Sequence, residues 1–483
     1  MTSPQVVFTG PELCRLTAVE VVNLLRKGEV TPSELVEASL ARIAAVEPAV
    51  NAIPTVCGDR AREQIGGLIA LRRKNGDAPG WLGGLPIAIK DLTPVKGVRT
   101  TWGTPGLKDF APDASDPLVE RLEAMGGLVM GKTNTPEMGA GGNTFNAVFG
   151  MTRNPWDTSR NAGGSSGGAA VSLATGEVWL SHGSDLAGSL RTPAAYCGVV
   201  GLRPTPGRAG GGPAAIAFST EGVQGPMART VLDTALFLDA MSGFDPRLPL
   251  SIEAPATPFQ DAVARATPKV RIAYAPDLKG FAPVEAEIEE VMRGALRAVE
   301  GLGATVEEAC PDLTGLYDTY ITLRAMAWAA NAGRLPDEVQ RQYKRTLSEN
   351  IDLGRRLTAE QIYDAQRNRS VLYRAMQTFL EGYDVLACAV VGLKPGPVEE
   401  EYPATVAGKP VADYVDWLRF SFLATTTALP AISVPAGFTA DGLPVGLQLI
   451  GPPRGEAKVL AVAKIIEEAV GLSSRLPIDP IIR

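Results

Sequence analysis

The sequence predicts an α/β fold. In the second half of the chain, an apolar run at 270–275, an amphipathic helix pattern at 285–300 and another apolar run at 304–308 follow one another. In the first half, a helix of small residues at 168–174 is followed by a strand at 178–181. Strands that alternate with helices are typical of sheets built from parallel crossovers. The hydrophobic share of 45% is ample for a core.

A helix start is marked clearly at Thr31. Thr31 suits the N-cap, Pro32 suits the first turn, and Glu34 completes a capping box. This helix is predicted to run to about residue 46. Further helices are predicted at 16–27, 60–74, 115–127, 231–241 and 456–470, and further strands at 128–131 and 385–390, while the tail from Ala431 closes the sheet.

Two stretches rich in glycine and serine lie close together in the chain. They are GGSSGG at 163–168 and GSDLAGS at 183–189. Glycine permits backbone conformations that other residues resist and lets two chain segments approach closely. Because a loop of this composition is expensive to order, it indicates a site more than a connector.

Three chemistries compete for the serines of the first stretch. GGSSGG matches the G-x-S-x-G nucleophile elbow at Ser165 and at Ser166, but that chemistry needs an acid and then a histidine later in the chain. The single histidine, His182, follows too soon to leave room for the acid-bearing strand, which excludes the elbow. A phosphate cradle has weak support because no G-K-[ST] follows. The third chemistry is a serine hydrolase whose base is not histidine.

Lys90 is the candidate base. It ends the apolar run from Leu85 to Ile89 and precedes Asp91. A lysine at the end of a strand is usually solvated. Here the apolar approach carries the ammonium group towards the interior, where burial lowers the pKa of a lysine. Burial therefore favours the neutral amine that a base requires.

At these residues the sequence resembles the amidase signature family of serine amidohydrolases. The resemblance rests on GLPIAIKDL around Lys90, on GGSSGG, and on GSDLAGSLRTPAAYCGVVGLRP from Gly183 onward. It extends to GKTNTPEMG, FGMTRNPWD, GPMART and LPAISVPAGFTADGLPVGLQLIG, and so spans nearly the whole chain. It implies a single large α/β/α domain over residues 1–483, around a mixed, mostly parallel twisted sheet with helical additions. The signature core covers about 80–240, and a variable helical substrate region covers about 312–420.

The family's Ser–Ser–Lys triad falls on Ser189, Ser165 and Lys90. The resemblance implies that Ser189 is the nucleophile and that Ser165, which follows a cis peptide bond in the family, bridges it to Lys90. A proton passes from Ser189 to Ser165 and from Ser165 to neutral Lys90. Ser189 then attacks the carbonyl, and water later releases the acid. No metal ion or organic cofactor is expected.

The resemblance also assigns the oxyanion hole to the backbone N–H groups of Leu186, Ala187, Gly188 and Ser189. Such donors stabilise charge that develops only in the transition state. The commoner family pattern has glycine at the position of Ala187. A methyl group there either narrows the approach to the hole or fixes its backbone.

Further site residues are expected around this centre. The loop after the strand at 128–131 is expected to hold the substrate, and the glycine-rich stretch 206–213 is expected to be a lid that brings an arginine near it. The expected substrate-binding residues are Met138, Gly139, Ala140, Gly141 and Arg208, and the expected supporting residues are Ser166, Ser184, Asp185 and Arg191. His182 is expected to be a packed structural histidine.

Composition restricts the partners. The net charge is −7, which gives no electrostatic case for nucleic acid or an anionic membrane. The five cysteines form no C-x-x-C pair, which fits reduced thiols in a cytosol. No signal peptide and no apolar run of membrane-spanning length is evident. The sequence therefore predicts a cytoplasmic monomer or homodimer without a nucleic-acid or membrane partner.

The predicted activity is cleavage of the C–N bond of small uncharged aryl or alkyl amides. The aromatic and aliphatic side chains of 312–420 favour apolar substrates, and family members also act on anilides, esters and carbamates (urethanes). One alternative is the glutamine-hydrolysing component of a tRNA amidotransferase, which needs a partner protein. Another is an amidase-like binding protein without catalysis, against which the joint presence of Lys90, Ser165 and Ser189 argues.

Overall fold

The computed structural model describes residues 6–211 and 216–483. Within these ranges the α-helices are α1 (Glu12–Arg15), α2 (Ala18–Lys27), α3 (Pro32–Val50), α4 (Gly58–Ile65), α5 (Leu68–Asn75), α6 (Pro117–Ala124), α7 (Gly167–Ala174), α8 (Arg191–Cys197), α9 (Val231–Met241), α10 (Phe259–Ala264), α11 (Ala286–Gly301), α12 (Leu316–Ala330), α13 (Asp337–Gln340), α14 (Arg345–Arg355), α15 (Ala359–Phe379), α16 (Phe422–Thr426) and α17 (Glu456–Val470). The strands are β1 (Thr55–Val56), β2 (Pro86–Lys90), β3 (Leu128–Thr133), β4 (Phe145–Asn146), β5 (Gly150–Met151), β6 (Arg153–Asn154), β7 (Asp157–Asn161), β8 (Leu180–Asp185), β9 (Val200–Arg203), β10 (Val223–Ala228), β11 (Arg271–Tyr274), β12 (Thr305–Glu308), β13 (Val385–Ala389), β14 (Thr405–Val406), β15 (Lys409–Pro410), β16 (Ala431–Phe438) and β17 (Pro444–Ile450).

One large sheet of 11 strands runs through the molecule, in the order β1-β3-β2-β8-β10-β9-β16-β17-β13-β11-β12. Parallel neighbours occur where β2 lies between β3 and β8, and where β11 lies between β13 and β12. All the other neighbours are antiparallel. The sheet is mixed, as predicted, but the expectation that it is mostly parallel is wrong. Only parallel neighbours need a crossover, whereas β16 and β17 form a hairpin, which makes them antiparallel.

Helices cover both faces of the centre of the sheet. On one face, Ile432 of β16 joins an apolar cluster that contains Ile288 of α11 and Val459 of α17. On the other face, α8 lies so close that a Cβ atom on Gly446 would stand 2.6 Å from the Cβ atom of Ala195. Because successive side chains of a strand point to opposite faces, the centre of the sheet packs against helices on both sides.

The helices α12 to α15 lie in the helix-rich part of the chain that the sequence predicts at 312–420. α12 packs against α14 and α15. Tyr320 of α12 also stacks on Phe422 of α16, with ring centroids 3.6 Å apart. Within the two described ranges, no helix is both long and apolar enough to cross a membrane.

A capping box begins α3, as predicted. The Thr31 N–H donates to the Glu34 carboxylate at 2.8 Å, and the Glu34 N–H donates to the Thr31 hydroxyl at 3.3 Å. The helix predicted at 60–74 is instead divided into α4 and α5. The division falls at Gly66 and Gly67, because glycine is a poor helix former.

The site lies where β2 and β8 end. The two strands are parallel neighbours through Ile87↔Leu180 and Ala88↔Ser181. β8 continues to Asp185, beyond the predicted end of its strand, because β10 pairs with it along its whole length. The GSDLAGS stretch therefore begins inside a strand. The carboxyl ends of neighbouring parallel strands are a preferred place for ligands in α/β sheets.

Candidate active site

Lys90 is the last residue of β2 and is completely buried. Its Nζ atom lies 2.8 Å from the Ser165 Oγ, 2.8 Å from the Ser166 Oγ and 3.0 Å from the Ser184 Oγ. Burial lowers the pKa of Lys90 to about 7, and the negative charge of Asp185 opposes this effect. A substantial share of Lys90 is therefore neutral near pH 7, where an amine accepts a proton.

Ser165 and Ser166 lie in the loop between β7 and α7. The peptide bond between Gly164 and Ser165 is cis, the conformation that the resemblance implied. Gly163 has a φ of +75°, and a Cβ atom on it would stand 2.9 Å from the Cα atom of Pro193. Glycine is required here because the loop is left-handed and packs directly against α8.

Ser189 lies in the turn between β8 and α8 and is 7% exposed. The Ser189 carbonyl oxygen accepts the Ser166 N–H at 3.2 Å. Ser189 also lines the same cavity as Ser165 and Ser184. The structure therefore brings the two glycine- and serine-rich stretches together at Lys90. Ser184, expected only as a support of the loop, contacts the Lys90 amine directly.

Asp185 fixes the turn that carries Ser189. Its carboxylate accepts the Leu190 N–H at 3.1 Å and pairs with the Arg191 guanidinium at 2.8 Å. The Arg203 guanidinium donates to the Asp185 carbonyl at 2.6 Å. Burial raises the pKa of Asp185, but Arg191 and Arg203 outweigh burial and hold that pKa below its usual range. The carboxylate is therefore charged whenever the protein is folded at neutral pH.

The same carboxylate changes the expected oxyanion hole. The Gly188 N–H donates to the Asp185 Oδ1 at 3.1 Å, so the expectation that it faces the substrate is corrected. By contrast, the N–H groups of Leu186, Ala187 and Ser189 donate to no acceptor among the described residues. These three residues line the cavity. Ala187 does not adopt a positive φ, so its methyl group is accepted without backbone strain.

Residues far away in the chain hold the first residue of this turn. The Leu186 carbonyl oxygen accepts the Thr425 hydroxyl at 2.9 Å and the Tyr320 hydroxyl at 3.3 Å. Sequence reasoning missed both side chains, because they lie 239 and 134 residues from Leu186 and no local pattern links them to it. The contact of Arg203 with Asp185 was also missed, although Arg203 lies in the family-like stretch that begins at Gly183.

A cavity of about 370 Å³ is lined by Ser165, Ser184 and Ser189. Met138, Gly139 and Gly141 line it, as expected for the substrate loop. Ala140 is completely buried and does not line it. The expectation for Ala140 is therefore corrected: the loop turns through positive φ angles at Met138 and Gly139, which directs the next side chain into the core.

Arg208 does not reach the cavity. Its side chain is buried, its Nη1 donates to the Glu253 carbonyl at 2.8 Å, and its Nε lies 3.7 Å from the Glu456 carboxylate. The guanidinium also stands 5.6 Å from the centroid of the Phe259 ring. The expectation that Arg208 approaches substrate is corrected, because a buried carboxylate holds it. Part of the expected lid, 212–213, lies outside the described residues.

Part of the cavity wall is apolar. Trp328, Tyr414 and Leu418 line it, together with Leu248 and Leu250 from the loop after α9. The sequence predicts that some aromatic residues of 312–420 line the pocket, and Trp328 and Tyr414 are found there. Such a wall suits the hydrocarbon part of a small substrate.

His182 is a buried structural residue. Its Nε2 lies 2.5 Å from the Gln224 Oε1, and its Nδ1 accepts the Lys90 N–H at 3.4 Å. Burial lowers the pKa of His182 to about 3. The imidazole is therefore neutral at physiological pH and is engaged at both nitrogens. It orders the end of β2 and has no free nitrogen for a serine.

Comparison with known proteins places this geometry in a family. A sequence model described as Amidase matches residues 34–460. The chain is 37% identical over 478 residues to an acylamidase of Rhodococcus erythropolis, which covers 98% of this chain and 100% of that protein. It is 34% identical over 475 residues to a glutamyl-tRNA(Gln) amidotransferase component of Synechococcus sp. (strain CC9605), which covers 94% of this chain and 96% of that protein.

Solved structures agree with the sequence comparison. A bacterial aryl acylamidase of the amidase signature enzymes superposes with a TM-score of 0.87 and 30% identity, covering 95% of this chain and 97% of that chain. A 6-aminohexanoate cyclic dimer hydrolase complexed with substrate superposes with a TM-score of 0.84 and 29% identity, covering 96% and 99%. The chain belongs to the amidase signature family and is an amidase, a hydrolase of amide C–N bonds.

Proposed function

We propose that this amidase hydrolyses small amides and anilides with Ser189 as nucleophile, Ser165 as the bridging proton carrier and Lys90 as the base. One observation carries the proposal: a buried lysine amine lies 2.8 Å from the Ser165 hydroxyl, and Ser165 shares a cavity with Ser189. A lysine with a pKa of about 7 is matched to general base catalysis at neutral pH.

The reaction proceeds in two steps that both use the same proton path. In the first, Ser189 loses its proton through Ser165 to Lys90 and attacks the amide carbon, and the proton returns through Ser165 to the leaving amine. An acyl group then remains on the Ser189 oxygen. In the second, water gives its proton through Ser165 to Lys90 and attacks the acyl carbon. The bond between that carbon and the Ser189 oxygen then breaks, the proton returns through Ser165 to Ser189, and the carboxylic acid is released.

Backbone N–H groups stabilise the oxyanion of each tetrahedral intermediate. Ala187 and Ser189 are the proposed donors, with Leu186 beside them, since their N–H groups are unengaged among the described residues and the three residues line the cavity. Removing one such donor in other hydrolases lowers kcat by about 100- to 1000-fold.

The proposed substrates are amides with an apolar aryl or alkyl part. The names of two relatives, an acylamidase and an aryl acylamidase, support amides and anilides. The apolar wall at Trp328 and Leu418 supports a hydrocarbon group. Carbamates (urethanes) and esters belong to the same proposal, because they present the same carbonyl to the nucleophile.

The test is a panel of chromogenic substrates: an anilide, a primary amide, an ester, a nitrophenyl carbamate and glutamine. Activity on the anilide or the carbamate should disappear in Ser189→Ala. The matched control is Ser172→Ala, since the Ser172 hydroxyl is buried and bonds only within α7. Activity that survives in Ser189→Ala would overturn the proposed nucleophile.

A second candidate function is glutamine hydrolysis as part of a tRNA amidotransferase. The likeness to the amidotransferase component of Synechococcus favours it. Activity on glutamine alone, and only with a partner protein, would support this reading. Activity of the isolated chain on anilides would contradict it.

The setting of the enzyme is also a proposal. We propose a cytoplasmic monomer or homodimer that needs no metal ion or organic cofactor. The five cysteines are unpaired in the structure, which supports a reducing compartment. Size-exclusion chromatography with light scattering, and activity after dialysis against a chelator, test these points.

A further inference from the structure

Arg324 occupies an unusual place in the cavity wall. It lies on α12, is 4% exposed and lines the cavity that holds Ser165 and Ser189. Its Nη2 donates to the Tyr414 hydroxyl at 2.6 Å, while its Nε has no hydrogen-bond partner among the described residues. A buried arginine is normally paired with an acid.

No carboxylate in the described ranges lies within 4.0 Å of the Arg324 guanidinium. The nearby acids are engaged elsewhere. Glu401 pairs with Lys344 at 2.6 Å, and Asp185 pairs with two other arginines. Burial raises the pKa of Glu137, which favours its neutral form. Since an arginine keeps its charge in proteins, Arg324 leaves this wall with an uncompensated positive charge.

Two aromatic rings hold the guanidinium in place. Its central carbon stands 5.5 Å from the centroid of the Trp328 ring and 5.4 Å from that of the Tyr414 ring. Such contacts stabilise a cation partly, but the face of a ring does not replace the hydrogen-bond acceptor that the Nε–H lacks. The residue itself lines the cavity, and its Nε–H is left without an acceptor among the described residues.

Arg324 lies on the same helix as a residue that contacts the turn before Ser189. Tyr320, one turn earlier on α12, donates its hydroxyl to the Leu186 carbonyl at 3.3 Å. One turn of an α-helix rises about 5.4 Å. Because Arg324 and Ser189 line the same cavity, a substrate with its carbonyl at Ser189 can present a second polar group to Arg324.

We propose that Arg324 is a specificity-determining residue that binds an oxygen acceptor of the substrate, remote from the bond that is cleaved. The acceptor is a carboxylate or a carbonyl oxygen. The preferred amides therefore carry a second carbonyl-type group besides the scissile one. This inference rests on the proposed function, because it takes the cavity beside Ser189 as the substrate site.

Matched substrates test the inference in the native protein. One series places the acceptor on the acyl side: the 4-nitroanilides of pentanoic acid, of succinic acid and of its methyl ester. The other places it on the amine side: acetanilides with a 4-isopropyl, a 4-acetyl or a 4-carboxylate group. In one of the two series, we expect kcat/KM to be about tenfold higher or more for a compound with the acceptor. Equal values in both series would overturn the inference.

Variants assign the preference to one side chain. In Arg324→Met, the ratio of kcat/KM between compounds with and without the acceptor should fall to about one. Arg324→Lys should keep part of the preference for the carboxylate compounds. Arg419→Met is the matched control, since Arg419 lies in the same region, pairs with Asp416 at 2.6 Å and does not line the cavity. An unchanged ratio in Arg324→Met would overturn the inference.

A binding measurement separates this inference from the proposed function. Calorimetry with Ser189→Ala, alone and combined with Arg324→Met, gives the affinity for the same anilides without turnover. Tighter binding of the acceptor compounds that is lost with Arg324→Met supports the inference, even if the native protein hydrolyses none of them. In the acyl-side series, tighter binding of the succinic acid anilide than of its methyl ester identifies a carboxylate as the acceptor. Equally tight binding of the two identifies a carbonyl oxygen. Equal affinity for the three compounds within each of the two series overturns the inference.

Discussion

At Lys90, burial and the charge of Asp185 act on the pKa in opposite directions. Burial is the larger effect and lowers the pKa from 10.5 to about 7, while Asp185 raises it. The hydroxyl groups of Ser165, Ser166 and Ser184 surround the amine in place of water. The surroundings therefore favour the neutral amine of Lys90, which has no direct carboxylate partner among the described residues.

The pH profile of the reaction should report this group. Below pH 7 Lys90 is protonated and cannot accept a proton, so kcat/KM should rise with pH through an apparent pKa of about 7. Stopped or continuous anilide assays from pH 5 to pH 9 measure the profile. A flat profile over this range would contradict the role of Lys90.

His182 provides the control for this profile. Because its pKa is lowered to about 3, its protonation state does not change over the measured range. A rise that persists in His182→Asn excludes the histidine as the titrating group.

At the scale of elements, the turn between β8 and α8 is held from outside the signature core. The Leu186 carbonyl accepts a hydroxyl from α12 and another from α16. These bonds fix the direction of the peptide that carries the Ala187 N–H, which is a proposed oxyanion donor. Helix α12, in the predicted variable region, and helix α16 just beyond it therefore both hold this turn in place.

Thr425→Val should lower kcat by a few-fold to about tenfold with little change in KM, because it removes one hydrogen bond to the Leu186 carbonyl while keeping the shape. Thr427→Val is the matched control, since the Thr427 hydroxyl is equally buried and donates only to the Leu423 carbonyl of its own helical segment. Steady-state kinetics of both variants decide the point. Equal losses in the two variants would count against a specific role of Thr425.

Gly188 tests the same turn through the backbone. It has a φ of +88°, and a Cβ atom on it would stand 3.0 Å from the Ser421 Cβ. Gly188→Ala should destabilise the protein by about 1–2 kcal/mol and lower kcat/KM about tenfold or more, because the turn must shift. Gly28→Ala is the control, with a φ of +74° and open space around it. Chemical denaturation and kinetics should show a stability loss in both variants, but an activity loss only at Gly188.

At the scale of the whole molecule, the buried neutral amine opposes stability. The pKa of Lys90 is lowered in the folded state to about 7. Between pH 7 and pH 10.5 the unfolded chain binds the proton and the folded chain does not, so the free energy of unfolding rises with pH in this window. The lowered pKa of Lys90 therefore costs stability at pH 7.

Lys90→Met should be inactive and more stable than the native protein at pH 7. The difference in the free energy of unfolding should shrink as the pH approaches 10, because the native lysine then loses its disadvantage. Urea denaturation at pH 7 and at pH 9.5 measures both differences. A stability difference that does not depend on pH would contradict the lowered pKa.

The 11-stranded sheet brings β2 and β8 together and places the carboxyl end of β8 at the cavity. The sheet joins strands from Thr55 to Ile450 in one hydrogen-bonded array. The assignment of 1–483 to a single domain stays a prediction, and its test is cooperative unfolding followed by two independent probes.

Local patterns in the sequence predicted many of the elements and indicated the candidate chemistry. Each of these patterns depends only on residues that are neighbours in the chain. Examples are the capping box at Thr31, the glycine- and serine-rich stretches and the apolar run before Lys90. The resemblance to a family then assigned the roles of Ser165 and Ser189. These inferences depend on short segments, which the sequence displays directly.

The tertiary structure alone decided which distant groups meet. It placed Ser184 on the Lys90 amine, engaged the Gly188 N–H with Asp185, held Arg208 at Glu456 and left Arg324 in the cavity wall. It also made most neighbours in the sheet antiparallel. Such contacts join residues far apart in the chain, and only the packing of the whole sheet with its helices fixes them.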